Sequence, residues 1–110
     1  MRDSSALAVL VLDTSRTAEV LIAGDLDLSA DAVLEPAVSN LLIDPFVERI
    51  DIDAALVGFC DSSGLTTLIR AHQRAANYGV PLCLVQTSPR LHHILDITGL
   101  WQTLTSATPE

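Results

Sequence analysis

Apolar residues near the start of the chain come in short runs. Leu7 to Leu12 is one, bounded by the polar stretch "DTSRT", and Glu19 to Ala23 is a second, so the pair predicts two strands joined by a turn. From Leu34 the period changes. Leu34, Ala37, Val38, Leu41 and Leu42 recur at i, i+3, i+4, i+7 and i+8, which predicts a helix with one buried face. Pro36 constrains its start, because proline is tolerated in a first turn and elsewhere kinks a helix. "IDPF" ends this helix, and "RIDIDA" alternates apolar with acidic residues as a strand does. After "FCDSSG", the residues Leu65, Leu68, Ile69, His72 and Ala76 predict a second helical stripe, with Thr66, Arg70, Gln73, Arg74 and Asn77 facing away and Gly79 as the C-terminal stop. "VPLCLVQ" predicts a buried strand. "SPRLHHILDITGL" predicts a short helix with Ser88 as N-cap, Pro89 at the first helical position and Gly99 closing it. A last strand is expected near Trp101 to Leu104. The order β-β-α-β-α-β-α implies an α/β fold, a mixed and mostly parallel sheet of four to five strands with helices on one side or both.

Composition narrows the class. A chain of 110 residues is expected to form one domain, 1–110, and its 49% hydrophobic and 18% charged residues are those of a globular protein. No apolar run approaches the ~20 residues that span a bilayer, so no direct membrane insertion is expected. The N-terminal stretch "MRDSSALAVLVLDTSR" lacks a basic region and a small-residue cleavage site, which predicts a cytoplasmic location rather than export. A net charge of -8 with six basic residues, all arginine, opposes binding to a phosphate backbone, and nucleic acid is excluded as a partner. Cys60 and Cys83 sit in apolar sequence without C-x-x-C spacing, so both are expected to be buried thiols.

In a parallel sheet the turns that follow strands share the carboxyl edge, where α/β proteins place their sites. "GDLD" and "CDSSG" are two such turns, and they should gather Asp25, Asp27, Asp61, Ser62 and Ser63. Catalysis finds little support in these residues. The Gly-x-Ser-x-Gly elbow is absent, and His72 lies roughly 15 Å along the helix from the serines at 1.5 Å per residue. The pair in "DIDA" imitates a phospho-aspartyl site at a strand end, but the chain contains no lysine to offset a phosphoryl group, and a solvated strand face accounts for it. The missing lysine also removes a phosphate-binding P-loop. His72 reads as a border residue of the buried face, and His92 and His93 as two surface side chains. Neither a metal nor a cofactor is expected, and the protein is expected not to be an enzyme.

Two readings of Ser62 stay open on its residues alone. It can cap the helix through a side-chain oxygen that accepts a backbone N–H. It can equally carry a phosphate of about -1.5 to -2 charge, accommodated by the helix N-terminus and repelled by Asp25, Asp27 and Asp61. Gly64 is expected to leave room for the backbone of a partner.

"GDLDLS" at Gly24 to Ser29, "DSSGL" at Asp61 to Leu65 and "LDITGL" at Leu95 to Leu100 resemble, in order and spacing, the motifs of STAS-domain anti-sigma factor antagonists. The resemblance covers nearly the whole chain. It implies that Ser62 is phosphorylated by a partner that is both anti-sigma factor and GHKL-type serine kinase. It further implies that the unphosphorylated form binds that kinase and frees a sigma factor, and that a serine phosphatase resets the switch. Asp27 matches the aspartate beside the phosphorylation site, and Asp25 stands where glutamate is common. The partner surface so implied comprises Asp25, Asp27, Asp61, Ser62, Ser63 and Gly64. The same family includes STAS accessory subunits of membrane transporters for lipids or anions, which supply the alternative reading.

Overall fold

The computed structural model describes residues 6–14 and 16–105, so residues 1–5 of the N-terminal stretch and Ser15 of the "DTSRT" turn lie outside it. Strands β1 (Ala8–Thr14) and β2 (Thr17–Leu26) pair antiparallel, with Leu10 opposite Leu21 and Val11 opposite Val20. Strand β3 (Arg49–Cys60) runs parallel to β2, and β4 (Leu82–Thr87) runs parallel to β3, giving a four-stranded mixed sheet in the order β1-β2-β3-β4. Its register puts Ala18 beside Ile50, Val20 beside Ile52 and Ile52 beside Leu84. Side chains alternate across a sheet, so these fully or nearly fully buried residues line one face.

A short 3-10 turn (Leu28–Ala30) leads into helix α1 (Asp31–Leu42), and α2 (Ser62–Asn77) packs beside it. Helix α1 buries Leu34, Val38, Leu41 and Leu42, as its period predicted, and begins three residues before Leu34. Pro36 therefore falls in its second turn. The carbonyl that loses its partner belongs to Ala32, which is exposed to water, so the interruption leaves no buried polar group unsatisfied.

Helix α2 buries Gly64, Leu65, Thr67, Leu68, Ala71 and Ala75, which turns its buried face from the predicted stripe: Ala76 is exposed, and Ile69 and His72 are half-buried. The reason is Thr67. Its hydroxyl donates to the Ser63 carbonyl 3.1 Å away, which satisfies the polar atom and lets the side chain enter the core. His72 sits at the border of the buried face, its Nδ1 2.9 Å from the Leu82 carbonyl oxygen.

Helix α3 (Pro89–Ile97) has the predicted ends: Ser88 accepts the Leu91 N–H at 3.2 Å, Pro89 is the first helical residue, and Gly99 follows at φ +74°. The strand expected near Trp101 to Leu104 is instead a helix, α4 (Trp101–Thr105). The left-handed Gly99 reverses the chain tightly, and Trp101 then stacks on His92 with ring centroids 4.0 Å apart while Leu104 is buried. His92 and His93 are both exposed, as expected, and the His92 ring additionally stacks on Trp101. Among the described residues, no helix is long and apolar enough to cross a membrane.

Candidate functional site

Because β2 and β3 are parallel, they finish at the same edge, with Leu26 opposite Cys60. The two ends are joined by backbone: the Asp61 N–H donates to the Leu26 carbonyl at 3.1 Å. Helix α2 starts at that junction. Asp61 is extended, its carboxylate accepts the Gly64 N–H at 3.0 Å, and it is the N-cap of the helix.

The cap assigned to Ser62 as one open reading belongs therefore to Asp61. Ser62 is the first helical residue and is exposed, and its hydroxyl has no hydrogen-bond partner among the described residues. Its carbonyl, by contrast, accepts the Thr66 hydroxyl at 2.9 Å. Ser63 is half-buried. The division of labour is local: the aspartate side chain closes the helix end, which leaves the following hydroxyl directed at solvent.

Gly64 is buried, and the space beside its Cα is filled from within the chain. A Cβ there would overlap the backbone of Leu26. The expectation that this glycine admits the backbone of a partner is corrected accordingly, since it admits β2 of its own sheet.

The three aspartates differ in role. Between Gly24 and Leu26 the ladder shifts register against Val57 to Cys60, and Gly24 takes φ 111°. Asp25, only 9% exposed, turns toward that irregularity and accepts the Phe59 N–H at 3.2 Å. It is part of β2 rather than of a turn. Asp27 caps the 3-10 turn, accepting the Ser29 N–H at 3.0 Å and the Ser29 hydroxyl at 2.6 Å. Asp61 serves α2 as described. The predicted cluster of Asp25, Asp27, Asp61, Ser62, Ser63 and Gly64 is thus brought to one edge of the sheet, with Ser62 its outward group.

Leu28 was missed by sequence reasoning. It lies between Asp27 and the start of α1 with 81% of its surface exposed, beside the same edge. Its signal was the apolar residue inside "GDLDLS", which packs into no strand or helix face.

The remaining candidates lie elsewhere. Asp51 and Asp53 are in the interior of β3, not at its end; Asp51 is 2.6 Å from Arg49 Nε, and Asp53 accepts the Ala55 N–H at 3.0 Å. Cys60 and Cys83 are free and buried. Burial pushes the Cys60 thiol up to about 11, and the neighbouring Asp61 adds to the shift, which makes it a poor nucleophile at neutral pH. Among the described residues, no group of three His, Cys, Asp or Glu side chains could hold a metal ion.

A family model described as "Mlab, STAS domain" matches residues 9–106. No curated protein matches the chain by sequence. Solved structures share its fold. An anti-sigma factor antagonist from Mycobacterium paratuberculosis is 23% identical with a TM-score of 0.70, over 96% of this chain and 87% of that one. The anti-sigma factor antagonist SpoIIAA in its unphosphorylated form is 23% identical with a TM-score of 0.69, over 94% and 90%. The murine anion transporter Slc26a9 is 13% identical with a TM-score of 0.71, over 89% of this chain and 19% of that one.

Proposed function

The chain belongs to the STAS-domain family, and from that premise we propose that it is an anti-sigma factor antagonist switched by phosphorylation of Ser62. In this reading residues 1–110 act as one non-catalytic binding module in the cytoplasm. The unphosphorylated form binds an anti-sigma factor with GHKL-type serine kinase activity and releases a sigma factor. A serine phosphatase restores that form.

One observation carries the reading: Ser62 is exposed and unpartnered among the described residues because Asp61 already caps α2. A hydroxyl that supported the helix would resist modification, whereas this one can accept a phosphoryl group without removing a hydrogen bond from the fold. The helix N-terminus tolerates the added anion. A partner pressed on the same surface does not, since it must desolvate a dianion beside Asp27 and Asp61. Phosphorylation therefore alters binding more than stability.

The test combines phosphopeptide mapping with calorimetric titration against GHKL-type kinases of the same genome. Phosphate is expected on Ser62, and on Ser63→Ala but not on Ser62→Ala protein. Ser62→Ala should retain affinity, and Ser62→Asp should lose at least about tenfold, about 1.4 kcal/mol. Phosphate on Ser63, or equal binding by the Ser62 phosphoprotein, would contradict the proposal.

A second reading is a STAS accessory subunit of a membrane transporter, favoured by the fold shared with Slc26a9. It predicts a stable complex with a transport ATPase or permease that is indifferent to Ser62→Asp. Partner capture followed by that substitution separates the two.

A further inference from the structure

Helix α2 is an exception to the charge of the chain. The protein has 14 acidic and six basic residues, yet the 16 residues of α2 include Arg70 and Arg74 and no acid. At about 100° per residue, Ser62, Gln73, Thr66, Asn77 and Arg70 fall within roughly 80° of arc, so the switch residue and Arg70 share one outward stripe. All five are exposed. Arg74 lies further round, toward α1, where it meets Glu35 at 3.2 Å; Glu35 also accepts the Ser39 hydroxyl at 2.8 Å. Arg70 has no ion pair among the described residues. It lines, with Arg74, Thr67, Asp31 and Glu35, a small cavity of about 70 Å³ along the seam of α1 and α2.

Ser62 and Arg70 are about 12 Å apart along the helix axis, from eight steps of 1.5 Å. A standard interface buries about 800 Å² per partner, so a protein seated on Ser62 also covers Arg70. A guanidinium enclosed there without a counter-charge would be costly; Asp31 and Glu35 line the cavity beside Arg70, but Glu35 is held by Arg74 and neither carboxylate pairs with Arg70 among the described residues. Phosphate chains of nucleic acid would meet the arginines too, but a net charge of -8 repels them.

We propose that the partner which reads Ser62 presents a carboxylate-bearing surface to the outward stripe of α2, with Arg70 as its counter-charge. The inference rests on the proposed function and adds the chemistry of the partner. It explains how phosphate would act as an off-signal: the modification places a dianion on the surface that an acidic partner must approach, on the same helix stripe as the group that attracts it.

The chain has no lysine, which gives a direct test. Arg70→Lys introduces the only ε-amine in the protein. A water-soluble carbodiimide should then couple that amine to an aspartate or glutamate of the bound GHKL-type kinase, mapped by peptide mass spectrometry. In parallel, Arg70→Glu should weaken binding at least about tenfold, flatten its dependence on salt, and leave the circular dichroism unchanged. If the kinase binds wild type and Arg70→Glu equally, or if the complex with Arg70→Lys forms without that cross-link, the acidic-partner inference is wrong and the switch stands. If no such kinase binds the wild-type protein, the functional reading itself fails and the inference falls with it.

Discussion

Gly64 of α2 rests against the Leu26 carbonyl of β2, so closely that a methyl group on its Cα would overlap that backbone. The same carbonyl accepts the Asp61 N–H. A strand end and a helix start are thereby fixed to each other at one atom, and the position of Ser62 follows from that join.

Gly64→Ala should accordingly destabilise the fold by about 1–3 kcal/mol, the usual cost of overpacking, and should displace the first turn of α2. Urea melts measure the first effect. A loss below about 0.5 kcal/mol would mean that the contact yields easily and that the join does not hold Ser62 in place.

Capping makes a sharper comparison between neighbours. Asp61→Ala removes the acceptor of the Gly64 N–H and should cost about 1 kcal/mol, whereas Ser62→Ala should stay within about 0.5 kcal/mol of wild type. Equal losses in thermal melts would return the cap to Ser62.

What was legible in the sequence follows from how local each cause is. Ser88, Pro89 and Gly99 act within one or two turns of their own helix, and α3 has the ends they predict. The phase of α2 was only partly legible, because Thr67 looks polar in isolation and is buried only once its hydroxyl bonds back to Ser63. Residues Trp101 to Leu104 resemble a strand when read alone. What makes them helical is non-local: His92 from the previous helix offers a ring for Trp101, and the core accepts Leu104. At the sheet edge, the turns after β2 and β3 indicated that the six candidate residues would lie together, but the structural role of each was hidden. It depends on a register shift that turns Asp25 toward Phe59 and on the approach of Leu26 to Gly64.

The core test of the α2 phase is Leu68→Ala. Leu68 is 1% exposed and should cost about 2–5 kcal/mol through lost burial and a cavity, while Ala76→Ser on the exposed side should change stability by less than about 0.5 kcal/mol. Denaturant midpoints decide it, and the reverse ranking would rotate the helix.

Cys60 predicts an alkaline effect whose sign is fixed. Its thiol is raised from 9.0 to about 11 by burial and then by Asp61, so the unfolded chain loses its proton first. Stability from this group is complete below pH 9 and is lost as pH rises toward 11, on the order of 2 kcal/mol across the window. Cys60→Ala should therefore lose less stability between pH 8 and 11 than wild type does, with the other titrating groups common to both. An identical loss would place the thiol in contact with water.

Leu28 separates folding from binding. With 81% of its surface exposed it contributes little to the core, so Leu28→Ser should leave the melting temperature nearly unchanged. The residue nevertheless stands beside Asp27, whose carboxylate holds the 3-10 turn through Ser29, and so it is presented on a supported bend rather than on a loose loop. An apolar side chain held in that way at the sheet edge that carries Ser62 is suited to fill a pocket of the partner proposed to read Ser62. Removing it should weaken the unphosphorylated complex at least about tenfold, mainly through faster dissociation, because packed anchors act on the off-rate more than on encounter. The expected pattern is thus opposite to that of Arg70→Glu, whose loss should depend on salt. Surface plasmon resonance at two salt concentrations resolves the pair. Unchanged dissociation of Leu28→Ser would place the interface along α2 alone and leave the 3-10 turn outside it.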